Sequence, residues 1–111
     1  MNDLFARTPR PPYYSVIFTS QRKQNDPEGY RVASERMLEL ARTIDGYLGV
    51  ESARDESGFG MTISYWASEA AIQAWKQQAE HAAIRERGRW YWYEHFEVRV
   101  ARVERAYGSM R

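Results

Sequence analysis

The chain has 111 residues, 43% hydrophobic and 28% charged, which is the material of one ordinary domain with its own core. Sixteen Lys and Arg against 15 Asp and Glu leave a formal charge of +1, without the concentrated positive excess expected of a nucleic-acid or anionic-membrane binder. With no cysteine, disulfides, a thiolate nucleophile and a zinc ribbon are excluded, and two histidines offer a metal little.

Residues 1–12 hold Pro9, Pro11 and Pro12 among polar residues and carry no apolar stretch of signal-peptide type. They read as a flexible arm before a domain spanning 13–108, in a protein expected to be cytoplasmic and away from membranes. Tyr13 to Thr19, rich in aromatic and β-branched residues, predicts a first strand, closed by the polar stretch Ser20 to Asp26. Asp26-Pro27-Glu28 supplies an N-cap acceptor, a proline at the first helical position and a carboxylate near the positive end of the dipole. Tyr30, Ala33, Met37, Leu40, Ala41 and Ile44 then recur at helical spacing, so the first helix is amphipathic. Asp45-Gly46 ends it.

Tyr47 to Arg54 and Phe59 to Trp66 flank the polar loop Asp55-Glu56-Ser57-Gly58 and predict an antiparallel hairpin. Ser68 caps a second helix that runs to about Arg87, with Ala71, Ile72, Trp75, Ala79 and Ala82 on one face and a break at Gly88. The aromatic block Trp90 to Tyr93 precedes a last strand, in which Phe96, Val98 and Val100 alternate with Glu97, Arg99 and Ala101 up to about Glu104. Strand, helix, strand, strand, helix, strand is the α+β, ferredoxin-like βαββαβ order, a four-stranded antiparallel sheet with both helices on one face. Val16 and Phe18 alternate with Ile17, and Ile63 and Tyr65 with Trp66, so both sheet faces carry apolar groups. The uncovered face predicts a homodimer joined sheet to sheet.

The chain carries no Walker loop, dinucleotide fingerprint, nucleophile elbow or paired-histidine helix. Its distinctive feature is aromatic content, 14%. Trp66 closes a strand and Trp75 follows in the next helix, in the run Trp66-Ala-Ser68-Glu-Ala-Ala-Ile-Gln-Ala-Trp75. Together with Gly46-Tyr-Leu-Gly-Val-Glu-Ser, Ile63-Ser-Tyr-Trp66, Glu80-His81, and Trp92-Tyr-Glu-His95 followed by Val98-Arg-Val-Ala-Arg-Val-Glu-Arg-Ala-Tyr-Gly108, this resembles the antibiotic biosynthesis monooxygenase domain family over residues 14 to 108. The resemblance implies a dimeric α+β barrel with a ligand cavity between each protomer's sheet and helices.

Two activities follow from it. In haem-degrading members an axial histidine follows the helix tryptophan by ten residues, and that position here is Arg85. His81 follows by six, which at ~100° per residue turns it off the Trp75 face, and the first strand offers Ser15, Thr19 and Ser20 where those enzymes use asparagine. Haem is therefore the less favoured cofactor. Oxygenation of a small aromatic or quinol-like compound without metal or flavin demands only an aromatic pocket that desolvates a phenol-like substrate and holds its anion near dioxygen. The candidates are Trp66 and Trp75 as walls, Tyr47 or Tyr65 as hydrogen-bond donors, and His81 or His95 as base. Arg85, with Arg87 and Arg89, either steers an anionic substrate or serves the helix dipole. A non-catalytic binding or regulatory dimer is the alternative. An RNA-recognition domain on this topology is opposed by the charge balance.

Overall fold

The computed structural model describes residues 4–85 and 89–109, with backbone alone at 84, 85 and 89. The elements run β1 (Tyr13–Arg22), α1 (Pro27–Arg42), β2 (Tyr47–Arg54), β3 (Phe59–Trp66), α2 (Glu69–Arg85), α3 (Arg89–Trp92) and β4 (Tyr93–Val103). The strands form one antiparallel sheet in the spatial order β2-β3-β1-β4. This is the ferredoxin-like βαββαβ arrangement, with one added helical turn before β4.

Local chemistry sets the boundaries. The Asp26 carboxylate accepts from the Gly29 N–H at 3.1 Å, and Pro27 opens α1. Gly46 ends the connection after α1 at φ 99, where a Cβ would stand 2.8 Å from the Ala71 Cβ, so the turn needs a glycine on both conformational and steric grounds. In the hairpin loop Asp55 accepts from the N–H groups of Ser57 (2.9 Å) and Phe59 (3.1 Å). The bond from the Ser57 hydroxyl does most to hold that carboxyl below its ordinary range.

Cross-strand register sorts the side chains into two faces. Val16, Phe18, Ser64, Trp66, Val98 and Val100 occupy the inner face under the helices, since Val16 pairs Ser64 and Val100, and Phe18 pairs Val98. Ile17, Ile63, Tyr65, Arg99 and His95 point to the outer face. The core gathers at one end of the inner face, where Ala41 of α1 and Ala71 and Ile72 of α2 close over Trp66, with Tyr14, Val16 and Trp75 packed around them.

Several boundaries differ from the expectation. α1 ends at Arg42, short of Ile44 and Asp45, because the Thr43 and Ile44 N–H groups turn back to Leu40 O and Ala41 O at 3.1 Å each. β1 runs on to Arg22 because its polar end is paired on both sides: Arg22 N–H donates to Gly58 O at 2.9 Å, and Arg22 aligns with Tyr93 of β4. β4 ends at Val103, one residue short of Glu104, and the aromatic block opens with the helical turn α3, anchored by Asn25 Nδ2 to Tyr91 O (3.0 Å) and Lys23 N to Trp92 O (2.9 Å). The expected helix end at Arg87 and break at Gly88 lie outside the described residues. The arm read as flexible touches the outer face: Ala6 N–H donates to Glu51 at 3.0 Å, the Tyr13 hydroxyl to Thr8 at 3.0 Å, and a Cβ on Gly49 (φ 152) would meet Ala6 at 3.0 Å. Among the described residues no helix is long and apolar enough to cross a membrane.

Candidate functional site

Between the helices and the inner sheet face lies a cavity of about 760 Å³. Its floor is Val16 and Phe18 of β1, Thr62 and Ser64 of β3, and Val98 and Val100 of β4. Met37 and Ala41 of α1 and Trp75 and Ala79 of α2 form the roof. Val98 and Val100 are 45% and 53% exposed although they face the helices, because the helices stand off that side of the sheet. The floor is not purely apolar. Ser52 and Thr62 share a hydroxyl–hydroxyl bond of 2.8 Å, so an apolar slot carries a few oriented polar groups, as small-molecule sites commonly do.

One end of the cavity is tryptophan-lined. Trp66 is fully buried behind the wall, its indole N–H donating to Ser64 Oγ at 2.9 Å. The Trp75 ring stacks on it at 5.9 Å and 23° and faces the cavity, and Tyr47 meets Trp66 edge-on at 5.4 Å. Burial pushes the Tyr47 hydroxyl up from its ordinary value against the opposing pull of Arg42, so it stays a neutral donor.

The other end holds a tyrosine pair. Tyr93 Oη donates to Tyr30 Oη at 3.1 Å, and both rings line the cavity beside Trp92. Arg54 donates to the Tyr30 hydroxyl at 3.3 Å and to Ser20 Oγ at 2.9 Å. The Arg22 guanidinium lies over the Tyr30 ring at 3.9 Å and donates to Trp92 O at 2.9 Å and to the Asn25 side chain at 3.2 Å. Burial foremost, then the neighbouring Tyr30, raises the Tyr93 hydroxyl well above its ordinary value, although both arginines pull it down.

The structure thus brings Trp66, Trp75 and Tyr47 together and scatters the remaining candidates. Tyr65 stands on the outer face, its hydroxyl donating to Glu51 at 2.7 Å and its ring edge-on to Tyr13 at 5.8 Å. His95 is on the same outer face and exposed, paired with Glu97 at 2.9 Å. His81 is exposed on the solvent side of α2, in a surface hollow with Gln77, Gln78 and Glu80. The Arg85 side chain lies outside the described residues. Neither histidine reaches the cavity, so neither supplies an axial imidazole to a haem there. Among the described residues no three His, Asp or Glu side chains gather as a metal site. Tyr30, Tyr93, Arg22 and Arg54 were not anticipated. The sequence signals two of them, Tyr30 as a polar group on the apolar face of α1 and Arg54 at an inward position ending β2, whereas Arg22 falls in a polar stretch that reads as loop.

Comparison with known proteins agrees with this architecture. The family model described as antibiotic biosynthesis monooxygenase matches residues 14–87. The uncharacterized protein YqjZ of Bacillus subtilis is 50% identical over 105 residues, covering 95% of this chain and 91% of that protein. The jasmonate monooxygenase ABM of Pyricularia oryzae is 26% identical over 94 residues, which are 81% of this chain and 43% of that longer protein. Among solved structures, SnoaB, a cofactor-independent oxygenase from Streptomyces nogalater, superimposes with a TM-score of 0.70 at 10% identity, covering 86% of this chain and 97% of its own. PA3566 from Pseudomonas aeruginosa gives 0.65 at 18%, covering 88% and 98%. At such identities these two speak for the fold alone. The chain is a small ferredoxin-like α+β protein with a cavity between sheet and helices. It belongs to the antibiotic biosynthesis monooxygenase family.

Proposed function

We propose that this protein is a monooxygenase that acts without metal or flavin on a small aromatic or quinol-like compound bound in the inner cavity. The observation that carries this reading is the cavity itself, about 760 Å³, walled by Trp75, Trp92, Tyr30 and Tyr93 within a chain of this family. Flat aromatic walls suit a flat ring, and removal from water raises the energy of its anion. The reaction balances without a further redox partner. The electron-rich anion of an activated CH2 group, or of a ring C–H beside a phenolate carbon, gives an electron to dioxygen, the radical pair joins as a peroxide at that carbon, and loss of water leaves C=O, so one oxygen atom enters the product and the other leaves as water. The Pyricularia oryzae jasmonate monooxygenase, 26% identical over 94 residues, supports the class of chemistry and leaves the substrate open.

The working unit in this reading is a cytoplasmic homodimer. The outer sheet face supports it: Ile17, Ile63, Phe59 and Met61 present apolar surface there, with Phe59 and Met61 each 44% exposed. A second reading, a non-catalytic binding module, draws on the position of His81 and His95 outside the cavity, which leaves no imidazole base against a ligand. Oxygen uptake on a panel of anthrones and hydroquinones decides between the two. Turnover of any member, lowered in Trp75→Ala, supports the enzyme. Tight binding of the same compounds with no uptake supports the module.

A further inference from the structure

The tyrosine end of the cavity contains a hydrogen-bond imbalance. Tyr30 and Tyr93 have two hydroxyl hydrogens between them, and their mutual bond of 3.1 Å uses one. Their other polar neighbour, Arg54, donates to Tyr30 at 3.3 Å and, as a guanidinium, accepts nothing. Whichever tyrosine donates to the other, one O–H is left with no protein acceptor among the described residues, on rings that line the cavity. The electrostatics have the same asymmetry. Arg22 is 9% exposed and Arg54 half-buried, and their partners are carbonyls, hydroxyls, the Asn25 amide and aromatic faces. Neither has a carboxylate within ion-pairing distance among the described residues. Two cations, one buried and one half-buried, without a carboxylate partner and behind a spare donor, make an electropositive pole.

From this geometry we infer that the Tyr30–Tyr93 end is the anion subsite of the cavity: it takes the negatively charged oxygen of a flat conjugated ligand, whose rings extend along the Val16 and Phe18 floor toward Trp75. The spare hydroxyl donates to that oxygen, and Arg54 reinforces it through the Tyr30 oxygen. The raised Tyr93 hydroxyl is consistent with this, since a Tyr93 that stays protonated keeps its bond to the Tyr30 oxygen and leaves the Tyr30 hydrogen free. The inference rests on the inner cavity being a ligand site and deepens the oxygenase reading. It assigns the charged state of the substrate and means that the substrate's own acidity is increased at this pole, with no imidazole needed there.

The test compares naphthoate with its neutral amide, naphthamide, by calorimetric titration of the full chain. Naphthoate is expected to bind about tenfold tighter, as a charge-assisted bond does against a neutral one. Tyr30→Phe or Tyr93→Phe alone is expected to keep most of that preference, because the surviving hydroxyl then has its hydrogen free. The double substitution is expected to abolish it, and Arg54→Gln to weaken naphthoate binding while sparing naphthamide. The two phenylalanines preserve the ring packing, so the double variant stays informative if Arg54→Gln fails to fold. Equal affinity for the two probes, no binding of either, or a preference unchanged in the double variant would overturn the inference. Naphthoate preference without oxygen uptake on any compound leaves the subsite standing and removes the enzyme, whereas turnover with equal probe affinities does the reverse.

Discussion

The rings of Trp66 and Trp75 lie nearly parallel, 5.9 Å apart at 23°, and only Trp75 faces the cavity. The two tryptophans therefore do different work. Trp66 is wholly enclosed with its N–H bonded to Ser64, so Trp66→Ala removes a large core volume and orphans a hydroxyl. Its expected cost is about 3–5 kcal/mol, read from the midpoint of urea unfolding. Trp75→Ala is expected to cost clearly less stability and to weaken naphthoate about fivefold through lost stacking. Equal stability losses for the two would show that Trp75 is core and not wall.

Gly46 joins helix α1 to strand β2 with φ 99, and the space its Cβ would need is taken by Ala71 of α2 at 2.8 Å. Gly46→Ala is expected to destabilise the fold by about 2–4 kcal/mol, from left-handed strain and the forced separation of α2 from the turn. A control separates the two causes. Gly46→Ala combined with Ala71→Gly relieves the contact and leaves the strain, so part of the lost denaturation midpoint should return.

Periodicity made the elements and the two sheet faces legible, because each depends on a few neighbours in the chain. The same alternation that turns Trp66 inward turns Tyr65 outward, so the pairing of Tyr65 with the cavity was already at odds with the strand pattern. His81, six residues past Trp75, was likewise rotated off the inner face. The tyrosine pole could not be read this way. It joins Tyr30 of α1 to Tyr93 at the head of β4 and to arginines ending β1 and β2, and only sheet register and the α3 turn bring these together. Ser20 to Arg22 looked like loop because its polar groups find their partners, Arg54, Gly58 and Trp92, far away in sequence.

Both histidines stand outside the cavity, His81 on the solvent side of α2 and His95 beside Glu97 on the outer sheet face. His81→Ala and His95→Ala are accordingly expected to leave naphthoate affinity and any oxygen uptake unchanged. The rate of uptake should then show no inflection near neutral pH, where an imidazole base would titrate. An activity lost in either variant, with binding intact, would place a histidine in the chemistry and would require the cavity wall to rearrange.

Alkaline stability provides the last test, because its sign is set by the outer face. Burial first, and then the bond and charge of Glu51, hold the Tyr65 hydroxyl up to about 12, above its ordinary value of 10.0. The folded chain thus keeps a proton that the unfolded chain releases earlier. The stabilisation is complete below the ordinary value and is lost as pH rises through the folded one. Urea midpoints should therefore fall between about pH 10 and about pH 12. Tyr65→Phe should flatten that fall without removing it, since Tyr93 is raised in the same direction and contributes its own share. Phenolate absorbance supplies the second readout: Tyr65→Phe should delete one of the late-ionising tyrosines from the titration of the native protein. A fall of equal steepness in the variant would mean that the Tyr65–Glu51 bond is not held in solution, and with it the anchor that Glu51 offers to the N–H of Ala6.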